Sequence, residues 1–152
     1  MKLHEHFSIS SNALQRWFIA QIYDAIAVGI LWLIGLLVLG VPLASFWALL
    51  AAVFQMIPIV GTLVGLLGPA AAAAISGGLL RLSYVLILYA VIVIADGFIL
   101  QPVLMRRSAR VPIWASILAP LVLGTLLNFW GVILSVPLLA IIYAYREHYR
   151  RS

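Results

Sequence analysis

The chain has no cysteine and few charged residues, and both deficits narrow its class. The absence of Cys among the 152 residues excludes disulfides and thiolate metal sites. Only 9% of the residues are charged, whereas a soluble domain has about 25%. Hydrophobic residues make up 66%, and the mean hydropathy is +1.20. The apolar segments are rich in Leu, Ile and Ala and do not alternate with polar residues as β-barrel strands do. The sequence therefore predicts an all-α integral membrane protein.

The hydrophobic sequence divides into two full-length spans and two interrupted stretches. We predict the full spans at 16–39 and 82–100, because a helix needs about 20 apolar residues to cross the hydrocarbon core. The interrupted stretches cover 43–76 and 112–145, and each arm, at about 15 residues and about 22 Å, is too short to cross untilted. Polar or helix-breaking residues mark the interruptions: Gln55, Pro58 and Gly61 in the first, Asn128 and Gly131 in the second.

Two architectures fit this order of segments. In the first, each interrupted stretch is a re-entrant helical hairpin, and the two halves form an inverted repeat whose breaks meet near the midplane. In the second, each short arm thins the bilayer and crosses it, which gives six ordinary spans. Either way, we expect a polar tail at 1–15, a transmembrane domain at 16–145 and a basic tail at 146–152.

The positive charge of the chain predicts its orientation. The net charge is +5, and six of the nine basic residues lie in a predicted polar loop at 101–111 or in the C-terminal tail. Basic residues mark the cytoplasmic side, so we expect a bacterial inner-membrane protein with both termini in the cytoplasm. Arg81 is the exception. The basic clusters form no continuous surface, so we expect the lipid bilayer, and no nucleic acid, as a partner.

Asp24 and Asp96 are the acidic residues inside the predicted spans. A carboxylate in hydrocarbon is costly and normally faces a cavity or a partner. Both lie roughly 12–15 Å from the cytoplasmic ends of their spans, hence at similar depth. If the spans touch, the pair could hold a proton or a small cation, since neighbouring carboxylates do not easily ionise together. Alternatively, each accepts a local hydrogen bond and has no joint role.

Other polar residues could line a path with these acids or bind helices together. Gln21 lies three positions before Asp24 on one helical face, and Gln101 follows Asp96 by five positions. For Gln21 we favour helix–helix contact. For Gln55 and Asn128 we favour the path, because unpaired backbone at a break needs polar neighbours or water. The predicted transport-path residues are Gln21, Asp24, Gln55, Pro58, Gly61, Asp96, Gln101, Asn128 and Gly131.

No pattern typical of an enzyme accompanies these residues. Paired aspartates occur in intramembrane proteases, but Ile94–Ala95 stands where those enzymes place Gly-x-Gly. His4, Glu5 and His6 lack the helical spacing of zinc hydrolases and indicate a solvated tail. We therefore predict no catalytic residue, no metal site and no cofactor.

Four short motifs occur in a fixed order: Gly40–Leu43, Ile57–Gly61, Leu100–Met105 and Gly131–Leu138. Together they resemble the landmarks of the autoinducer-2 exporter family of bacterial membrane proteins, over nearly all of the chain from about residue 15 to 145. The sequence departs from the family pattern at two positions. Thr62 stands where Pro is frequent in the family, and Gln55 stands where an Asn is commonly near. Family members usually run to about twice this length, so we expect this chain to correspond to their C-terminal half.

The resemblance implies a multi-span inner-membrane transporter that forms a homo-oligomer. Members of the family are described as exporters of the quorum-sensing signal autoinducer-2 and related solutes, and some as sodium(lithium)/proton antiporters. The expected substrate is thus a small polar solute or a cation. A function of another class, a non-transporting structural or assembly subunit, fits the short length of the chain.

Overall fold

A computed structural model describes residues 3–57, 60–105 and 113–151, and these residues form helices and short turns without any strand. The elements are α1 (Leu3–Val38), α2 (Ala44–Gln55), α3 (Val60–Ala95), a π turn (Asp96–Leu100), α4 (Gln101–Met105) and α5 (Ile113–Arg151). Three helical stretches of this described part are long and apolar enough to cross a membrane: Ser8–Val38, Gly61–Leu104 and Leu118–Glu147. The prediction of an all-α membrane protein is confirmed.

The chain divides into two compact units. One comprises Gln21–Pro102, and the other comprises Met1–Ala20 together with Val103–Ser152. The first unit contains the second half of α1, all of α2 and α3, and the π turn. The second contains the beginning of α1 and all of α5.

Small residues let α3 approach α2 closely in the Gln21–Pro102 unit. A Cβ atom added to Gly65 would lie 3.2 Å from the Cβ of Ala51, and one added to Gly68 would overlap the ring of Trp47. Small side chains at such spacing allow tight packing of membrane helices. A buried core then forms around α2 from Val28, Trp32, Leu36, Val41, Ala44, Ala48, Ala51, Ala73, Val85 and Ile92.

Helix α1 ends just before Gly40, as the sequence predicts. Gly40 has a φ of 65°. The N–H groups of Gly40 and Val41 donate to the carbonyl oxygens of Leu37 and Leu36 at 3.1 and 3.0 Å. This is the Schellman arrangement, in which a left-handed residue reverses the chain and satisfies the last carbonyls of the helix.

Two further breaks that the sequence predicts are present inside long helices. In α3, Gly78 has φ 64° and ψ −157°, which separates an arm at 60–77 from one at 79–95. In α5, Asn128 has φ 53° and ψ −138°, which separates 113–127 from 129–151. The second break is shorter than predicted, because helical geometry resumes directly after Asn128.

A glycine lies at the tip of each interrupted stretch. A Cβ at Gly61 would collide with the carbonyl oxygen of Phe54, and a Cβ at Gly131 would collide with that of Leu123. Both glycines therefore let one helical arm fold back closely on the preceding one. Whether these hairpins turn inside the bilayer or outside it stays a prediction.

The predicted polar loop at 101–111 is wrong in its first part. Residues Gln101–Met105 are helical and continue directly from the π turn. Pro102 is tolerated there because it follows an irregular turn, where it need not donate a regular helical hydrogen bond. Residues 106–112 lie outside the described part. The predicted tails also carry helix, since α1 begins at Leu3 and α5 ends at Arg151.

In the second unit, a buried hydroxyl and a long-range hydrogen bond accompany the α5 hairpin. Ser135 is fully buried, and its Oγ donates to the carbonyl oxygen of Val132 at 2.6 Å. Ser10 of α1 donates through Oγ to the hydroxyl of Tyr145 at 3.1 Å. This bond joins residues separated by 135 positions, so it fixes the start of α1 to the end of α5.

We predict that Gly131→Ala destabilises the protein, because the added methyl group has no room beside Leu123. Overpacking of this kind costs about 1–3 kcal/mol, which should lower the midpoint of thermal unfolding in detergent. Gly97→Ala is the matched control, since its Cβ would meet nothing within 4 Å. Equal unfolding midpoints for the two variants would contradict the close approach at the tip of α5.

Candidate functional site

Two acidic side chains are buried together in the Gln21–Pro102 unit. Asp24 on α1 is 1% exposed, and Asp96 at the start of the π turn is 8% exposed. Both carboxyl groups contact the side chain of Gln55. Burial of an ionised carboxylate costs several kcal/mol unless a partner compensates for it. No basic side chain of the described residues donates a hydrogen bond to either carboxyl.

The side chain of Gln55 joins the two acids. Its Nε2 donates to Oδ2 of Asp24 at 3.2 Å and to Oδ2 of Asp96 at 3.1 Å. Both N–H bonds of the carboxamide are thereby used. Gln55 is the last residue of α2 and is 5% exposed. One neutral side chain at a helix end therefore positions carboxyl groups from two other elements.

Two more glutamines complete the cluster. Gln21, 3% exposed, lies one turn before Asp24 on α1, and its Nε2 donates to the backbone carbonyl oxygen of Gln55 at 2.7 Å. Gln101, the first residue of α4, donates through Nε2 to Oδ2 of Asp24 at 3.2 Å. Gln21 satisfies the carbonyl at the end of α2, a group that a helix leaves without an internal partner. The helix–helix role predicted for Gln21 matches this contact.

The π turn brings Asp96 and Gln101 to one face of the helix. Five positions apart in a regular α-helix, two side chains point about 140° away from each other. In the π turn, the N–H of Gln101 instead donates to the carbonyl oxygen of Asp96, so about one turn separates them. Both side chains consequently reach the same pair of neighbours, Asp24 and Gln55.

Sequence reasoning missed this π turn, although a signal was present. Pro102 has no N–H, so the carbonyl of Phe98 loses the partner that it would have in an α-helix. Irregular turns and kinks commonly precede a proline for that reason. Gln101 is a polar residue directly before this proline. Such a residue indicates that the irregular turn places its side chain on the same helix face as Asp96.

One oxygen of each carboxyl group is left without a donor. Oδ1 of Asp24 and Oδ1 of Asp96 are buried and have no hydrogen-bond partner. Ionised carboxylates have about four acceptor sites each, and the amides supply three hydrogen bonds to the pair. The cluster therefore has a surplus of acceptors and of negative charge, which a bound proton or cation would balance.

The structure brings together five of the nine predicted site residues: Gln21, Asp24, Gln55, Asp96 and Gln101. Gly61 lies beside them, packed against Gln55 at the tip of the α2–α3 hairpin. Pro58 lies outside the described residues. Asn128 and Gly131 belong to the other unit, where Asn128 breaks α5 and Gly131 packs against Leu123. Within the described part of the chain, no group of three His, Cys, Asp or Glu side chains is placed to hold a metal ion.

Comparison with known proteins gives one family match and several relatives. Residues 1–151 match the family model described as AI-2E family transporter. The chain is 31% identical over 112 residues to "Putative transport protein YhhT" of Escherichia coli (strain K12), covering 74% of this chain and 32% of that protein. It is 26% identical over 139 residues to "Putative transport protein YueF" of Bacillus subtilis (strain 168), covering 91% of this chain and 37% of that protein. The chain thus spans about a third of the length of these relatives.

We predict that Gln21→Leu destabilises the protein, because the buried carbonyl oxygen of Gln55 loses its donor. An unpaired buried acceptor costs about 1–3 kcal/mol, which can be measured as a lower midpoint of unfolding in mixed micelles. Gln15→Leu is the same change at an exposed position of the same helix, and it should leave the midpoint nearly unchanged. Equal midpoints for the two variants would show that the Gln21 contact does not hold α1 to α2.

Proposed function

Because the chain belongs to the AI-2E family of transporters, we propose that it moves a small polar solute, such as a signal molecule, or a cation across the bacterial inner membrane. We further propose that a proton or sodium gradient drives this transport. The observation that carries the proposal is the buried cluster of two carboxyl and three carboxamide groups around Gln55. Membership of a transporter family also fits the expectation that the chain is not an enzyme.

The energetic cost of this cluster supports a transport role. Buried ionisable groups in membrane proteins are rare, and they mark ion paths and proton relays. A hydrophobic pair of similar volume would give the helices equal or greater stability. The presence of two buried acids, each with an oxygen that lacks a donor, favours a site that binds and releases a positive charge.

The position of the cluster supports coupling to movement. Gln55 ends α2, and the chain turns directly after it toward Gly61 and α3. A helix end next to a break can shift more readily than a helix middle, and discontinuous helices form the ion sites of many transporters. A change in charge at Asp24 and Asp96 would act first on Gln55, and hence on the tip of this hairpin.

The exposed side chains of the protein indicate what surrounds it. Large apolar side chains are widely exposed, including Ile75 at 88% and Val38 at 80%, which is expected where lipid or further subunits cover the helices. We propose a homo-oligomer in the inner membrane with both termini in the cytoplasm. The basic residues near the end of α5 and those that precede Ile113 support this orientation.

A second candidate is a structural or assembly subunit that does not itself transport. The specific observation in its favour is coverage, because the chain matches only 32% and 37% of the two relatives. A part of a transporter could insert and fold without forming a complete path.

We predict that the purified chain in liposomes supports proton-coupled or cation-coupled flux, and that Asp24→Asn and Asp96→Asn each abolish its dependence on the gradient. Asparagine keeps the shape of the side chain but cannot carry the charge. The measurement is the pH of the liposome interior, read with a pH-sensitive dye while an imposed gradient of salt or pH drives exchange.

Glu147→Gln is the control, since it removes an acidic group from α5, outside the cluster. Flux equal to that of the unmodified chain is expected for this control. No flux from any correctly inserted and folded chain would favour the structural subunit. Unchanged coupling in both Asn variants would contradict the role given to the acidic pair.

A further inference from the structure

The oxygen atoms around Asp24 and Asp96 distinguish a proton from a metal ion as the ligand. Hard metal cations take about six oxygen ligands. Here Oδ2 of each acid is already occupied by amide N–H groups, from Gln55 in both cases and from Gln101 in one. These glutamines direct the nitrogen of the carboxamide at the acids, and an N–H dipole in that orientation repels a cation.

The end of α2 offers few ligands as well, although the ends of broken helices often coordinate ions. Each of its last three carbonyl oxygens accepts a hydrogen bond, with N···O distances of 3.3 Å from Met56 to Val53, 2.9 Å from Ile57 to Phe54 and 2.7 Å from Gln21 to Gln55. These oxygens are engaged with donors at the place where a metal ion would need them.

Two buried oxygens then remain without a donor, Oδ1 of Asp24 and Oδ1 of Asp96. Two acceptors are too few for a metal ion, but they suit one proton. A protonated carboxyl donates its O–H to a neighbouring carboxylate, which removes one negative charge and pairs both groups. Both acids accept from the same nitrogen of Gln55, so their carboxyl groups are neighbours around one amide group.

In the part of the chain that the structure describes, the hydrogen-bond donors around the pair are neutral amides. Asp24 lies on α1 and Asp96 on the π turn, while α2 and α4 contribute the neutral carboxamides of Gln55 and Gln101. Among the described residues, no basic side chain donates a hydrogen bond to either carboxyl group. A bound ligand therefore has to balance the excess negative charge of the pair.

We propose that Asp24 and Asp96 bind one proton, shared between their carboxyl groups, and that this site does not bind a metal cation. The proposal deepens the proposed function and rests on it only for the coupling role, since it names the proton as the ion that the pair takes up and releases. Gln55 is a positioning residue here, because it fixes the two Oδ2 atoms and leaves the Oδ1 atoms to the proton.

Infrared difference spectroscopy of the full chain in lipid nanodiscs tests this proposal without requiring transport. We expect the carbonyl stretching band of one protonated carboxyl group per chain at neutral pH. The band should be lost in Asp24→Asn with Asp96→Asn and kept in Glu147→Gln. It should also have the same intensity in sodium chloride and in choline chloride at equal ionic strength and pH.

Two results would overturn the proposal: no protonated carboxyl band at neutral pH, or a band that sodium removes at constant pH. Both are read on the unmodified chain, so misfolding of the double variant would not leave the question open. The outcomes also separate this proposal from the transport function. A band without flux in liposomes would refute transport and retain the proton site, whereas flux without the band would refute the proton site alone.

Discussion

Two carboxyl groups inside an apolar bundle need hydrogen-bond donors, and the carboxamide of Gln55 supplies one to each. This contact joins α1, α2 and the π turn, with distances of 3.1 and 3.2 Å to the two acids. The remaining glutamines serve the same need, since Gln21 holds the backbone of Gln55 and Gln101 adds a donor to Asp24. Without these amides, the packing of the surrounding helices would have to offset the free energy of burying the acids.

Several irregular features of the fold serve this contact. The end of α2 places Gln55 beside the acids, and Gly61 allows α3 to begin within van der Waals distance of it. The π turn rotates Asp96 and Gln101 onto one face. Irregular backbone and buried polar groups thus occur together, which is expected at a functional site because an ideal helix pair would pack more stably without them.

The sequence was sufficient for the helical class and for several positions at which helices end or break. Gly40, Gly78 and Asn128 break or end helices where the pattern of Gly and Asn indicates. Hydrophobicity could not show that Asp24 and Asp96 meet, because the contact of two helices depends on packing and not on local propensity. The π turn, the helical state of Gln101–Met105 and the bridging role of Gln55 depend on the same tertiary contacts.

The two units give different amounts of information about function. The Gln21–Pro102 unit contains the buried acids and the amides that serve them, so its chemistry can be argued atom by atom. In the other unit, the sharp turn of α5 at Asn128 and the glycine beside Leu123 show the same hairpin construction, without a buried acid among the described residues. The inverted repeat expected from the order of the segments stays a prediction.

A double-mutant cycle between Gln55→Met and Asp96→Leu tests most directly whether one carboxamide supports the buried acids. The quantity to measure is the free energy of unfolding in mixed micelles for the unmodified chain, both single variants and the double variant. The account predicts that the double variant is less destabilised than the sum of the single variants, with a coupling of about 1–3 kcal/mol, because removal of both partners leaves no unpaired group between them. Additive effects, within about 0.5 kcal/mol, would contradict it.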